Sequence, residues 1–341
     1  MQKQHILVTG GLGYVGTRLV DHLCQQKRGQ LRVLDLGLYL TPSEKWLTDR
    51  HPVEIIRGDI RDPNVAKPAM LGIDTVIHLA AISNDPTGNV DEVLTRQVNF
   101  DGTANLVLAA KAVGVNRFIN ASSSSVYGVN DNPMLDESVE PAPLTAYSKT
   151  KHMAEWVVRA ANAPDFVTVN VRPATICGYS PRQRFDLVVN KLTGDAVTKG
   201  VITVEGGNQR RPHVTITDIV RFYDHLTQAP DAWITGRTFN VGFENETVLQ
   251  TAQRIAHTIG SHVKIEIKPV RDPRDYHICG DRCKTILGFT PVSTIEQEVA
   301  ELRDAIVRGE FNPDNDPHHN LRFITPTYPG RNPAANFWAA V

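Results

Sequence analysis

The chain carries almost no excess of charge: 36 lysines and arginines stand against 37 aspartates and glutamates, a formal net charge of −1 over 341 residues. A protein that grips nucleic acid or an anionic membrane by charge shows a basic surplus, so neither partner is expected. Long apolar runs are missing too, and none reaches the roughly 20 residues that span a bilayer. Cysteine is scarce. Cys24, Cys177, Cys279 and Cys283 are scattered, which suits a reduced, cytoplasmic protein rather than a disulfide scaffold. Cys279 and Cys283 lie four apart with no second pair, so no metal site is expected. The sequence enters a strand within a few residues, so no signal peptide is expected, and no internal repeat is seen. The length then suits one large or two modest domains with a sizeable core.

The most informative stretch is His5-Ile6-Leu7-Val8-Thr9-Gly10-Gly11-Leu12-Gly13-Tyr14-Val15-Gly16. Ile6 to Val8 reads as a strand buried on both faces. Glycines break it, and helical spacing follows at Val15, Leu19, Val20 and Leu23. Gly10, Gly13 and Gly16 are spaced GxxGxxG, and bare backbone there lets a diphosphate lie against a helix N-terminus, whose N–H groups favour anions. The next strand, Leu31 to Leu34, ends at Asp35, nineteen positions past Gly16. An acid so placed accepts both ribose hydroxyls of an adenine nucleotide and repels a 2′-phosphate, so NAD is expected over NADP. Arg32 lies upstream of the strand end and does not offset that repulsion.

Further strands are expected at Val53–Arg57, Asp74–Leu79, Arg117–Ala121 and Phe166–Arg172. Asp59, at the end of the first of these, reads either as an acceptor for the adenine amino group or as a plain turn acid. Ala80 and Ala81 are small enough for a cofactor to pass close to the backbone. His78 reads as a packed core histidine. Asn84 to Asp91 reads as a polar loop, and a long helix is expected from about Asp91 to Gly114. Strand alternates with helix throughout, so the fold class is α/β: a doubly wound parallel Rossmann sheet over residues 1–174. After Pro173–Gly178 the rhythm is lost, and a smaller C-terminal α/β substrate-binding domain and tail are expected over 175–341. Residues 214–243 are apolar enough to return to the first domain.

The fifth strand runs into Ser122-Ser123-Ser124-Ser125-Val126-Tyr127-Gly128, four hydroxyls at the carboxyl end of a central strand, where ligands bind in such sheets. Tyr147 and Lys151 are i, i+4 neighbours on one helix face. A free phenol titrates near 10, and bringing it near neutrality takes about 4 kcal/mol, a plausible share for a lysine ammonium and an oxidised nicotinamide nearby. Tyr147 could then take a proton from a sugar hydroxyl while the carbon-bound hydride passes to NAD.

These residues resemble the extended short-chain dehydrogenase/reductase family, in its nucleotide-sugar epimerase/dehydratase branch. The resemblance covers nearly the whole chain: Thr9–Gly16, Asp35, Gly58-Asp59, His78–Ala81, Val98-Asn99 with Gly102-Thr103, Ser123–Gly128, Tyr147 with Lys151, Arg172-Pro173 and Leu287–Pro291. It implies that Ser123 orients the substrate oxygen, that Tyr147 is the acid/base, and that Lys151 binds the nicotinamide ribose and tunes the tyrosine. Gly10, Gly13, Tyr14, Val15, Gly16, Asp35, Asp59, Ile60, Leu79, Ala80, Ala81, Asn99, Ser122, Tyr147, Lys151 and Pro173 are then the expected cofactor-binding residues. The expected partner is a nucleotide-diphosphate sugar, a UDP-sugar above all, held by Ser123, Ser124, Tyr147, Asn190 and a pair of arginines. Arg211 is one, although Thr215 replaces the usual histidine of that segment; Arg271 or Arg274 is the other. The family's 4,6-dehydratases carry Thr-Asp-Glu where this chain has Ser123, Ser124 and Ser125. Hydroxyls near pH 7 supply neither the acid nor the base for eliminating water. The resemblance therefore points to a 4-epimerase working through a transient 4-keto sugar. A nucleotide-4-keto-sugar reductase with the same Ser-Tyr-Lys set stays open, behind it a dehydratase or a non-catalytic NAD-binding regulator. The helices Asp91–Gly114 and Ala146–Ala161 present apolar stripes of the kind relatives pair across a homodimer.

Overall fold

The computed structural model describes residues 4–39, 42–130, 132, 134–270 and 277–327. Arg271 and Arg274 lie outside the described residues. Among these residues, seven strands form one parallel sheet: β1 (Gln4–Thr9), β2 (Gly29–Asp35), β3 (Glu54–Arg57), β4 (Thr75–His78), β5 (Arg117–Ala121), β6 (Val167–Pro173) and, later in the chain, β10 (Arg237–Val241). Their order is β10-β6-β5-β4-β1-β2-β3. β1 lies inside the sheet between β4 and β2, and its Ile6, Leu7 and Val8 are apolar on both faces and wholly buried. Ile6 and Val8 pack into one core with Leu19, Val33 and Ile119; Leu7 faces the opposite core with Val76, Leu106 and Phe118. Successive strands step outward from β1 through β2 to β3, then restart at β4 on its other side. That reversal opens a crevice at the carboxyl ends of β1 and β4, the place where ligands bind in sheets of this kind.

Beyond β6 lie a three-stranded sheet of β7 (Thr175–Cys177), β9 (Arg210–Thr215) and β11 (Glu244–Thr247), and a parallel pair of β8 (Val201–Glu205) and β12 (Lys264–Lys268). They share a core of Val189, Leu192, Ile202, Val204, Ile255 and Val299. β10 pairs with β6 at the edge of the main sheet, and the Ile216–Gln228 helix puts Phe222 into the main core.

The helix expected over 91–114 runs from Glu92 to Ala112, with a change of winding inside it. Glu92–Arg96 and Thr103–Ala112 are α-helical, and Gln97–Gly102 between them is a π-helix. The wide turn brings the Asn99 amide inward, where it donates to the Ile82 carbonyl (2.9 Å) and accepts from the Ile82 N–H (2.8 Å). The polar stretch 84–91 also holds a helical turn, Asp85–Gly88. Gly88 is glycine because a Cβ there would stand 2.8 Å from the Tyr147 Cβ. His78 sits in the core between the hydroxyls of Thr9 (2.7 Å) and Thr103 (2.9 Å), and burial lowers its pKa to about 3, so it stays neutral.

The Ala146–Ala160 helix is tied to β6 by a buried ion pair. Arg172 Nε and Nη2 donate to the two Glu155 oxygens, each at 2.7 Å, and Nη1 donates to the Tyr127 hydroxyl at 2.9 Å. Burial alone would raise the Glu155 carboxyl, but the Arg172 guanidinium more than offsets it and holds the pKa down at about 2. Removing one partner of such a pair strands the other charge in the interior. Glu155→Ala is expected to cost about 3–5 kcal/mol in urea unfolding; a loss below about 1 kcal/mol would mean that Arg172 finds water or another acceptor.

Candidate active site

The crevice begins at the glycine turn between β1 and the Tyr14–Gln25 helix. Gly10 has φ 72°, and a Cβ on it would lie 2.6 Å from the Ala80 nitrogen. On Gly16 it would lie 2.1 Å from the Gly10 oxygen. These two glycines let the turn pack on the end of β4 and the helix pack on the turn. Gly13 differs: its Cβ would meet only the Gly10 oxygen, at 3.1 Å, so a side chain there would enter the space in front of the helix. No side chain caps that helix, which leaves its first N–H groups for an anion. Val15 lies in its first turn.

Asp35 ends β2 beside this turn. Its carboxylate accepts from Leu12 N–H (2.9 Å) and Gly37 N–H (2.7 Å), which fix its orientation. Burial raises its pKa, against those hydrogen bonds and the nearby guanidinium groups of Arg57 and Arg182. Arg32 is committed elsewhere, to Glu54 and to the carbonyls of Ala69 and Leu71.

At the other end of the crevice, Thr145 and Ser148 form a capping box that starts the Ala146–Ala160 helix. Asp85 accepts from the Thr145 hydroxyl at 2.6 Å and joins that helix start to the loop after β4. Tyr147 stands in the first turn, 8% exposed. Lys151, one turn on, is buried, and its Nζ donates to the carbonyl of Ala121, the last residue of β5, at 2.8 Å. Burial lowers the Lys151 pKa to about 8, against the pull of the Glu155 carboxylate. Ser122, Ser123 and Ser124 follow at once and are buried. Ser123 Oγ accepts from Ser125 N–H at 3.1 Å, and its own O–H remains able to donate. The structure thus gathers the serine turn, Tyr147 and Lys151 at the end of one strand.

Other expected site residues are committed within the protein. Both N–H bonds of the Asn190 amide are used, on the Tyr14 hydroxyl (3.0 Å) and the Arg184 carbonyl (2.9 Å), and its oxygen accepts from Gly178 N–H (2.9 Å). It therefore shapes the 178–190 loop and has no donor left for a nucleotide. The Asn99 amide is engaged with Ile82 and fixes the turn after β4. The Asp59 carboxylate is gripped by the Arg61 guanidinium, at 2.8 Å for its closest contact, before any adenine amino group arrives. Ile60 packs against Gly102, while Leu79, Ala80 and Ala81 follow β4 beside Gly10. Pro173 ends β6 opposite Val241. The Tyr14 side chain is buried beneath the 178–190 loop, donating to the Gly178 carbonyl at 2.8 Å. Arg211 lies on β9 opposite Glu246, and its Nη1 donates to the Arg210 carbonyl at 2.8 Å. Sequence reasoning missed the Asp85–Gly88 turn under Tyr147 and the depth at which Arg182 and Arg184 are buried; the glycine at position 88 was the available signal.

The model of the NAD dependent epimerase/dehydratase family matches residues 6–242, from β1 through the end of the main sheet. The chain belongs to that family. Its members use NAD, and the open face at Gly13 and the oriented Asp35 fit that dinucleotide. The chain is 30% identical over 310 residues to UDP-glucuronic acid decarboxylase 4 of Arabidopsis thaliana, an alignment covering 86% of this chain and 66% of the length of the plant enzyme. MoeE5, solved with UDP-glucuronic acid and NAD, superposes with a TM-score of 0.76 at 25% identity over 89% of this chain and 99% of that one. The UDP-glucuronic acid 4-epimerase of Bacillus cereus shares the fold, with a TM-score of 0.80 at 24% identity over 89% and 99% of the two chains. No helix among the described residues is long and apolar enough to cross a membrane.

Lys151 gives the site a pH signature. Its ammonium favours the Tyr147 phenolate only while protonated, and that charge is lost as pH rises through about 8. Turnover is expected to fall on the alkaline side of about pH 8, and a rate that stays flat to pH 10 would show that the lysine charge plays no part.

Proposed function

We propose that this chain is an NAD-dependent nucleotide-sugar 4-epimerase. The observation that carries the reading is the turn Ser122–Ser125 beside Tyr147 and Lys151: hydroxyls and a buried ammonium, with no carboxylate in the turn. Tyr147, as phenolate, takes the proton of a sugar hydroxyl that Ser123 holds by hydrogen bonding. When bound, NAD supplies a hydride acceptor and donor at the carbon bearing that hydroxyl. Lys151 stabilises the phenolate before the transfer, and Tyr147 returns the proton to the same oxygen once the keto-sugar has turned over in the pocket. Balance is kept without any outside reductant.

The decarboxylase relatives favour a second reading, in which a 4-keto uronate loses carbon dioxide. Carbon 5 then needs a proton, and the turn offers only hydroxyls that give one up poorly near pH 7. Of the acids around it, Glu155 is paired with Arg172 and Asp186 with Arg184, and Asp85 accepts from the Thr145 hydroxyl. Incubation with UDP-glucose and UDP-glucuronic acid, followed by NMR of the products, separates the readings. An epimerase gives a mixture of C4 epimers without added cofactor; a UDP-pentose with released carbon dioxide overturns the proposal, as does stoichiometric consumption of reduced dinucleotide. Tyr147→Phe should lower turnover by roughly a hundredfold to ten-thousandfold while leaving NAD binding nearly intact.

We also infer a homodimer. Leu108 (70% exposed) on the Thr103–Ala112 helix and Trp156 (57%) with Met153 on the Ala146–Ala160 helix form an apolar face on two neighbouring helices, suited to a second copy of the same face. Light scattering should report twice the chain mass, reduced by Leu108→Glu; a monomer in the unaltered protein contradicts this.

A further inference from the structure

The loop after Gly178 lies directly over the glycine turn. Tyr14 Oη donates to the Gly178 carbonyl at 2.8 Å, and Ser180 Oγ donates to the Tyr14 carbonyl at 2.7 Å. This loop carries two buried arginines of different character. Arg184 has an acid of its own, with Nε and Nη2 on Asp186 at 2.9 and 2.8 Å. Arg182 has none: among the described residues no carboxylate lies within ion-pair distance of it. It is 2% exposed, and its Nε has no hydrogen-bond partner. What surrounds it is the Tyr39 ring, 3.9 Å from Cζ, and the side-chain amide oxygen of Asn320, 2.5 Å from Nη2. A ring face and one amide compensate only part of the cost of burying a guanidinium. Burial accordingly lowers the Arg182 pKa to about 10.

The position of this cation is informative. Tyr39 follows β2, the strand that ends in Asp35. Ser83, which accepts from Arg184 Nη1 at 3.1 Å and from Asn320 Nδ2 at 3.2 Å, follows β4. β2 and β4 flank β1 in the sheet. Arg182 and Asn320 therefore bridge the crevice above the glycine turn, where the uncapped helix N-terminus already favours an anion. Asn320 belongs to the chain's last described helix, Asn320–Thr327, which packs Ile324 against Ile82 and Leu94 and sets Phe323 on Tyr39 at 5.4 Å between ring centroids. The approach to that helix is fastened to the same loop, with Phe185 N–H donating to the His318 carbonyl at 2.8 Å.

We propose that Arg182 is a cofactor-binding residue whose guanidinium takes a phosphate of the dinucleotide, and that Asn320 on the C-terminal segment holds it in place and so slows the release of NAD. A dinucleotide and a nucleotide sugar both carry a pyrophosphate. The siting of Arg182 over the β1 turn, near Asp35, favours the dinucleotide. The inference rests on NAD binding alone, so its failure would leave the epimerase reading standing.

The test uses the full chain freed of bound nucleotide, with isothermal titration of NAD, ADP-ribose, adenosine and UDP, and the rate at which NAD leaves the reloaded protein. Arg182→Met keeps the packing of the stem and removes the charge. It should weaken NAD and ADP-ribose by about tenfold to a hundredfold, the range of a charge-assisted hydrogen bond, with adenosine and UDP little changed. Asn320→Ala should hasten NAD release several-fold while leaving UDP affinity alone. If UDP weakens and NAD does not, Arg182 serves the sugar nucleotide and the proposal falls. It falls as well if both ligands bind Arg182→Met as they bind the unaltered chain. Should Arg182→Met not fold, the NAD release rate of Asn320→Ala decides the matter, and an unchanged rate overturns the proposal.

Discussion

A lysine ammonium buried against the end of β5 sets the terms for the catalytic end of this protein. Lys151 is out of water, with its Nζ on the Ala121 carbonyl, and burial has already weakened its hold on its proton. Glu155, one turn further along the helix, is the acid that supports it. That carboxylate does not neutralise the lysine by direct contact, because both its oxygens are taken by Arg172. The arrangement keeps a net positive charge near the phenol while preventing the lysine from sinking to neutrality. Had Glu155 paired with Lys151 itself, the ammonium would be more firmly charged, but its field at Tyr147 would be largely cancelled. The Arg172 link then runs on through Tyr127 to the Asn240 side chain on β10. The edge strand contributed late in the chain thereby helps to fix the helix that carries the tyrosine.

The dinucleotide end of the crevice is built on the opposite plan. There the fixed charge is negative, Asp35, held by two main-chain N–H groups that aim its oxygens. Positive charge comes from a loop almost 150 residues further on, and the segment around Asn320 ties that loop to the lips formed after β2 and β4. The scaffold supplies rigid acceptors from strand ends, and the more distant parts of the chain supply the cations that close over them. This division matches what the two kinds of element can do: strand ends are fixed by the sheet ladder, while a loop can reach across from a distant part of the chain, as the one after Gly178 does over the glycine turn.

Legibility in the sequence follows the range of the interactions. The glycine turn, Asp35, the strand positions of the first domain and the Tyr147–Lys151 pair are local patterns, encoded in spacings of a few residues or in periodic burial, and each can be placed from the sequence. Asn99, Asn190 and Asp59 look open to ligands in the sequence, because a lone amide or acid shows no partner in a one-dimensional reading. Their partners, Ile82, Gly178 with Tyr14 and Arg184, and Arg61, appear only when the chain is folded. The π-turn at Gln97–Gly102 was invisible for a related reason: its apolar pattern suits an α-helix, and the Asn99–Ile82 bonds within it depend on a neighbour seventeen positions away. Arg182 shows the limit most clearly, since its ring and amide partners, Tyr39 and Asn320, lie 143 residues before it and 138 residues after it.

The serine turn carries the remaining argument about chemistry. Oxidising a sugar carbinol needs one base and one hydride acceptor, and those parts are common to the family's epimerases, dehydratases and decarboxylases. What separates the reactions is whatever happens to the keto-sugar next, and that depends on whether a second acid or base stands within reach. Elimination and decarboxylation both demand proton traffic at carbon 5, whereas epimerisation demands none there and is best served by a turn that does not invite it. Ser123, Ser124 and Ser125 can hold oxygens by hydrogen bonds while contributing almost no acid or base strength near neutrality. On the proposed reading, Glu155 and Asp186 stay locked to arginines and proton exchange is left to Tyr147 and the oxygen it serves. On this view the specificity of the reaction comes from withholding chemistry from the neighbouring carbon, and an acid introduced into the turn would open a second outcome for the same keto-sugar.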